Sequence, residues 1–481
     1  MKLVSGGLSD TGKVRQRNED CIRIEPELGL FIVADGMGGY AGGDVASSIA
    51  CETITSQVRA ARDLIDRFGQ ISSVGDSDPF EFLSLRQQIM SMISDAIVAA
   101  DVEIQRVAAV DAAAGSNALT GMGSTVVLAL VVGARAFVAH LGDSRAYLLG
   151  REGAVRLTLD HSLLQGLVDG GQISQAEIAR FPMKNVLTKA LGVPGGVVPD
   201  VMDFLLRPGE RILLCSDGLH GLVRDDFLFK LGHKAAPTHC ASRLVAYANA
   251  AGGNDNISVV LVEAVEDDPG LTAEVTPGKG WAADVPEMEA NESEVDQDLH
   301  GAALTPAPSG TAAVRAASRP GGPCVGDRVR EHSLFRGLTH GEWLRMFSST
   351  PRQCFESGAT IFSAGELSDG MYAILCGSVE VTKDGNVIKV FGPGSTLGEM
   401  CLVDERVRLA NAVARGRTVL MFLSRHSFQM MCDKQPVTAV RLLRQLQSRT
   451  ASWLRDARDE LNIMKAFVAG FEAERLDSVD R

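Results

Sequence analysis

Five short apolar runs lie in the first 265 positions, several of them apolar at odd and even places alike, and this constrains the fold more than any other feature. They are GLFIVADG (29–36), STVVLALVV (124–132), RAFVAHLG (135–142), RILLCSDG (211–218) and ISVVLVEA (257–264), rich in β-branched residues and bounded by Gly or Asp. Successive side chains of a strand point to opposite faces, so a run apolar on both faces needs cover on both. Sheets with a further layer on each side are therefore expected. Helix-like spacing at 43–60 and 80–110 provides that layer. DSDPF (76–80) predicts a helix start, with Asp78 as N-cap and Pro79 in the first turn. Residues 61–79 read as a flexible loop, and 162–190 as short helices and turns forming a flap.

Most of these strands end beside a carboxylate. The acidic segments are Arg15-Gln16-Arg17-Asn18-Glu19-Asp20, Asp35-Gly36-Met37-Gly38-Gly39, Gly142-Asp143-Ser144-Arg145, Ser216-Asp217-Gly218 and Asn254-Asp255-Asn256. One Asp at a strand end is ordinarily a turn or cap residue. Five such motifs would need five independent turn explanations. Carboxylates converging from distant segments instead build sites for hard divalent cations, which take oxygen ligands. Paired cations beside an arginine are suited to hydrolysing phosphate esters. Gly36 leaves room for its own carbonyl to approach a ligand.

The chain has 481 residues, enough for two or three domains. A net charge of −13 argues against nucleic acid and anionic membrane as partners. Nine cysteines are scattered without a CxxC pair, so neither a zinc site nor a disulfide framework is indicated. That usage fits a reducing cytoplasm. No signal-peptide segment and no apolar run of membrane-spanning length occurs, so a soluble protein is expected. Four regions follow from composition: a globular block over 1–265, a disordered linker over 266–325 that is first acidic and then rich in Pro, Ala and Gly, a second block over 326–450, and a helical tail over 451–481. From 355 onward, short alternating strands with Gly at the turns suggest an eight-stranded double-sheet roll flanked by helices at 338–347 and 436–465. Lys383-Asp384-Gly385-Asn386 is a hairpin signal. The amphipathic tail suits either a dimer contact between two copies or a lid.

The ordered set SDTGKVRQRNED (9–20), VADGMGG (33–39), GMGSTVV (121–127), HLGDSRAYLL (140–149), DHSL (160–163), NVLTKALG (185–192), CSDGL (215–219) and GGNDNISVV (252–260) resembles the metal-dependent PPM, or type-2C, protein phosphatases over about residues 3–264. The resemblance implies an α+β fold, a four-layer α-β-β-α sandwich with two antiparallel sheets. It implies hydrolysis of phosphoserine and phosphothreonine in proteins, with two Mn²⁺ or Mg²⁺ ions and a weaker third. Carried over residue by residue, Asp35 bridges two metals, Gly36 lends its carbonyl, and Asp217 and Asp255 complete one shell. Asp143 shares the third metal with Asp217. Glu19 acts through metal-bound water, Asp20 orients the shell, and Arg15 holds the phosphate with its planar fork. The implied partners are phosphorylated proteins and a cognate bacterial Ser/Thr kinase. Met37 stands where eukaryotic members carry a histidine as general acid, a difference shared with the bacterial branch. A metal-bound water or His161 is left to fill that role, while His140 reads as a core histidine. Lys184 and Lys189 read as solvated residues or as steering groups for substrate.

The second block resembles the cyclic nucleotide-binding domain, on FSAGE (362–366), MYAILCGSVEV (371–381) and GPGSTLGEM (392–400) leading into LGEMCLVDERVRLANAVA (397–414). The resemblance implies cAMP or cGMP as effector, with Gly398 and Glu399 at the ribose and Arg408 on the cyclic phosphate. Leu409 replaces a small residue there and Asn411 a hydroxyl residue. Two alternatives stay open at this point: a pseudophosphatase scaffold, and an active phosphatase whose second block only mediates interactions.

Overall fold

Adjacent residues of one strand serve two different cores. The computed structural model describes residues 1–38, 42–73, 78–150, 153–169, 186–233, 235–266, 352–402, 407–434 and 438–448, with a few isolated positions besides. The first block consists of β1 (Lys2–Asp10), β2 (Asp20–Glu25), β3 (Leu30–Met37), α1 (Gly43–Ala60), α2 (Arg62–Ser73), α3 (Pro79–Ala113), β4 (Gly123–Ser124), β5 (Val126–Val132), β6 (Arg135–Leu141), β7 (Arg145–Gly150), β8 (Gly153–Arg156), α4 (Leu163–Asp169), β9 (Asp200–Leu205), β10 (Arg211–Cys215), α5 (Asp217–His220), α6 (Asp225–Gly232), α7 (Pro237–Ala250) and β11 (Ile257–Val265). One sheet runs β1-β11-β10-β7-β8 and the other β2-β3-β5-β6-β9, with β4 on β3. The strand pairs are antiparallel.

Phe31, Val33, Val127, Ala129, Leu148, Leu214 and Val260 meet between the sheets. Leu30, Ile32, Ala34, Leu128 and Leu130 face the other way, onto Ala50, Ile54, Ile89, Ile93 and Ile97 of α1 and α3. On the far side, Leu213, Cys215, Val259 and Leu261 lie under Leu228, Cys240, Leu244 and Ala248 of α6 and α7. The doubly apolar strands thus sit in an α-β-β-α sandwich, as expected. Asp78 caps α3, accepting from the Phe80 N–H at 3.0 Å.

The expected loop over 61–79 is corrected: Arg62–Ser73 is helix α2. Its apolar residues are few but correctly spaced, and Ile65 and Phe68 are buried on the main core. The Phe68 ring lies 5.3 Å from Phe82 and 5.5 Å from Phe137. Charged residues between them hid a narrow apolar stripe.

The second block holds β12 (Arg352–Phe355), β13 (Thr360–Phe362), β14 (Gly370–Lys383), β15 (Asn386–Phe391), β16 (Thr396–Leu397), β17 (Asn411–Ser424) and α8 (Arg425–Lys434), with a helix at 438–448. Among the described residues there are six strands where eight were expected. The long strands explain the difference. β14 pairs β16 through Tyr372 and Ala373, then β15 through Val379–Lys383, with register shifts between. β17 pairs β13 at one end and β12 at the other. Each bulged strand serves both halves of a roll. The hairpin at Lys383-Asp384-Gly385-Asn386 forms as expected.

The expected linker from 267 on, most of the tail, Lys184 and the flap's centre (170–185) lie outside the described residues. No described helix is long and apolar enough to cross a membrane.

Candidate active site and candidate nucleotide site

The two sheets deliver acids to one place. Register pairs Asp20 of β2 with Asp35 of β3. Asp217 opens α5 directly after β10, and Asp255 precedes β11. Asp143 lies in the turn between β6 and β7. The carboxyls act on one another. Burial, then Asp20, Asp217, Asp143 and Asp255, push Asp35 well above the ordinary carboxylate range. Burial and then Asp255 raise Asp217, whose side chain hydrogen-bonds Asp35. Asp143 is pushed up to about 7 by burial, then by Asp217 and Asp160. Burial takes Asp20 to about 6 and also raises Glu19. Such a group is short of positive charge. Arg15 reaches it from the side: its Nη2 donates to Asp255 Oδ2 at 2.8 Å, with the side chain half exposed.

Neutral residues inside the same motifs hold the acids in place, through bonds that no local pattern announces. Asn256 accepts from the Glu19 N–H at 2.8 Å and donates to the Thr11 and Arg17 carbonyls at 3.0 and 2.9 Å. It ties the Arg15–Asp20 loop to the foot of β11. Ser216 donates to Asp20 Oδ2 at 2.9 Å and accepts from the Ser258 N–H at 3.0 Å. The Asp35 carbonyl accepts from the Thr125 N–H at 2.8 Å and the Ser124 hydroxyl at 3.1 Å. Behind Asp143, Arg145 forks onto Asp160 at 3.0 and 2.7 Å, and His220 Nε2 bonds the Asp143 carbonyl at 3.0 Å.

The donor set fits hard divalent cations. It is all oxygen and its charges raise one another. Asp20 Oδ1 is buried without a hydrogen-bond partner. At Gly36 a Cβ would stand 2.0 Å from the Gly43 carbonyl and 2.5 Å from the Glu19 carbonyl, so no side chain fits. Gly36→Ala is expected to push β3 away from that loop and lower turnover about 100-fold, the scale of an ångström misplacement at a reacting centre. Steady-state kinetics beside a melting curve separates this from unfolding.

His161 does not present a spare proton. Its Nδ1 accepts from the Gly142 N–H at 3.2 Å, and its Nε2 faces Asp200 at 3.4 Å. His140 is buried, as expected of a core histidine. It stacks on His161 at 4.7 Å, bonds the Leu159 carbonyl at 2.7 Å, and is pushed down to about 4 by burial. Ligand atoms of His140, His161 and Asp200 lie within 4.8 Å of one another. The Gly142 bond places the His161 proton on Nε2, so that nitrogen offers no lone pair to a metal. Lys189 donates to the Val198 carbonyl at 3.3 Å.

In the second block, Gly398 precedes a 3₁₀ turn, Glu399–Leu402, and Glu399 is buried. Arg408 is buried against Phe362 and Tyr372, 4.3 and 5.8 Å from the ring centroids. One terminal nitrogen donates to the Gly370 carbonyl at 2.7 Å, and the other has no hydrogen-bond partner. Leu409 is 72% exposed, so its bulk points away from the protein. Asn411 accepts from the Ala364 N–H at 2.8 Å, a strand-end contact.

Comparison with known proteins bears on both blocks. The family described as Protein phosphatase 2C matches residues 12–246, and the Cyclic nucleotide-binding domain matches residues 352–435. The serine/threonine phosphatase stp of Listeria monocytogenes is 34% identical over 259 residues, which is 53% of this chain and 93% of that protein. The chain belongs to the protein phosphatase 2C family. It is a protein serine/threonine phosphatase carrying a cyclic nucleotide-binding domain. PstP of Mycobacterium tuberculosis is 31% identical over 270 residues, 56% of this phosphatase and 46% of PstP. A crystal structure of the PstP catalytic domain with two manganese ions aligns at 29% identity over 55% of this chain and 99% of that one, with a TM-score of 0.45.

Proposed function

We propose that the phosphatase uses Mn²⁺ or Mg²⁺ in the cleft of Asp35, Gly36, Asp143, Asp217 and Asp255, and that a cyclic nucleotide in the second domain sets its rate. The convergence of mutually raised carboxylates beside one guanidinium carries the first part. Asp35, Asp217, Asp255 and the Gly36 carbonyl would hold two cations, with Asp143 and Asp217 holding a third. When bound, the metals neutralise the carboxylates and acidify water for attack on phosphorus. Arg15 exchanges Asp255 for two phosphate oxygens, and its half-exposed position suits that exchange. Asp20, fixed by Ser216, and Glu19, fixed by Asn256, hold the inner edge of the cleft. Met37 donates no proton, and both His161 nitrogens are engaged, so the leaving oxygen draws its proton from water. Substrates are phosphoserine and phosphothreonine proteins, phosphorylated by a Ser/Thr kinase of the same cytoplasm.

For the effector, the unpaired nitrogen of buried Arg408 is a donor suited to a single phosphodiester. Glu399 would take the ribose and Gly398 the close approach. Calorimetric titration of the full chain with cyclic AMP, and separately cyclic GMP, is expected to give micromolar binding with one of them, about −8 kcal/mol. Arg408→Ala should abolish the heat. Absence of heat with both nucleotides would leave the second domain as an interaction module.

A further inference from the structure

Three arginines converge on Asp203, whose side chain is fully buried in β9. Arg86 of α3 and Arg135 of β6 bond it directly, and Arg352 of β12 lies at 3.6 Å. Burial opposes ionisation, yet the guanidiniums of Arg135, Arg86 and Arg352 hold the carboxyl well below its usual range. Arg352 belongs to the nucleotide domain, the others to the phosphatase. The contact is not isolated. Arg417 of β17 lies 3.7 Å over the Phe80 ring and 3.9 Å from Asp78, at the start of α3. Phe80 and Leu83 pack on the nucleotide domain's own core, with Met371, Val419 and Met421. Trp343 packs on that core and on the core between the phosphatase sheets.

Both gripped elements continue to the catalytic cleft. Further along α3, Asp101 accepts from the Gly192 N–H at 2.7 Å. Leu191 exchanges backbone hydrogen bonds with Ser124, whose hydroxyl donates to the Asp35 carbonyl. At the start of β9, Asp200 touches His161 and Lys189. We propose that the Asp203 ion cluster and the Arg417–Phe80 contact are the coupling joint, through which the nucleotide domain acts on the 186–192 segment and Asp35. The joint rests on the regulatory reading above and adds its route. Buried charge clusters have discrete arrangements, because a lost partner leaves an uncompensated charge, and this suits a two-state joint.

The test uses the full chain carrying Arg352→Met with Arg417→Ala, neither residue belonging to the catalytic or nucleotide-binding machinery. Turnover of para-nitrophenyl phosphate with Mn²⁺ is measured with and without cyclic AMP or cyclic GMP, and hydrogen exchange is followed in parallel. In the parent chain the nucleotide is expected to change the rate about fivefold or more, the lower end of ordinary coupling. In the variant, nucleotide binding persists within about fivefold of the parental affinity, the rate ratio falls to about one, and Gly192 and the start of α3 exchange about tenfold faster. Arg352→Lys, which keeps a charge near Asp203, retains most of the response. A variant with the parental rate ratio, or with parental exchange at Gly192, overturns the joint. If neither nucleotide binds or alters the parent chain, the regulatory reading fails instead, and the exchange at Gly192 alone decides whether the grip reaches the cleft.

Discussion

Asp35→Asn is expected to lose about 1,000-fold or more in turnover of a phosphothreonine peptide, and yet to melt higher than the parent chain when metal is absent. A thousandfold corresponds to about 4 kcal/mol of transition-state stabilisation. Asp35 is the carboxylate that burial and four other acids most oppose. In the metal-free chain that carboxyl must either take up a proton or stand as an unpaired charge, and a neutral amide of the same shape avoids both costs. Each 1 kcal/mol so gained raises the melting midpoint by about 2–4 °C in a domain of this size. With Mn²⁺ the order reverses, because the parent gains binding free energy that the variant has lost. Kinetics and melting curves with and without Mn²⁺ read all of this.

The second large effect concerns pH. Asp143 titrates near 7 and Asp20 near 6 in the folded chain, both well above an unfolded carboxyl. Between the unfolded and folded values the native state binds more protons, so stability falls as pH rises. The destabilisation is absent below about pH 4 and complete above about pH 7. Metal-free Asp143→Asn is therefore expected to lose less stability than the parent chain between pH 5 and pH 7.5, by at least about 1 kcal/mol. The buried His140 and His220, whose values are pushed down, act in the opposite direction and alike in both chains. Saturating Mn²⁺ reverses the trend, since metal and protons compete for the same oxygens. Chemical unfolding at the two pH values, with EDTA or with Mn²⁺, measures it. Equal losses in the parent chain and in Asp143→Asn would mean that Asp143 is not raised by the other acids.

That the sheets are covered on both sides was legible because the central strands are apolar on both faces, and most of them lie beside an Asp; the four-layer arrangement itself came from the family resemblance. Those features reflect the two things the fold does: it packs two sheets between helices, and it points acids off the strand ends. Helix α2 is hard to read in the sequence because its stripe is narrow: Ile65 and Phe68 are buried, Leu64 and Ile71 only partly so, and charged residues separate them. In the sequence the roll reads as eight strands, because a long strand with register shifts alternates like two short ones. Asn256 and Ser216 stood inside recognised motifs, but which backbone groups they bond depends on segments some 240 and 200 residues away. Asp203 gave no signal at all. Its partners come from α3, β6 and β12, and no local pattern links a mid-strand acid to three distant arginines.

The most direct test follows phosphate release from a phosphothreonine peptide by the full chain, stripped with EDTA and then given Mn²⁺, beside Asp217→Asn treated the same way. The expected result is silence in EDTA, recovery with Mn²⁺ in the parent, and no recovery in a folded Asp217→Asn chain. Release in EDTA, or parental release by Asp217→Asn, would contradict the assignment of the acidic cleft as the metal-dependent catalytic site.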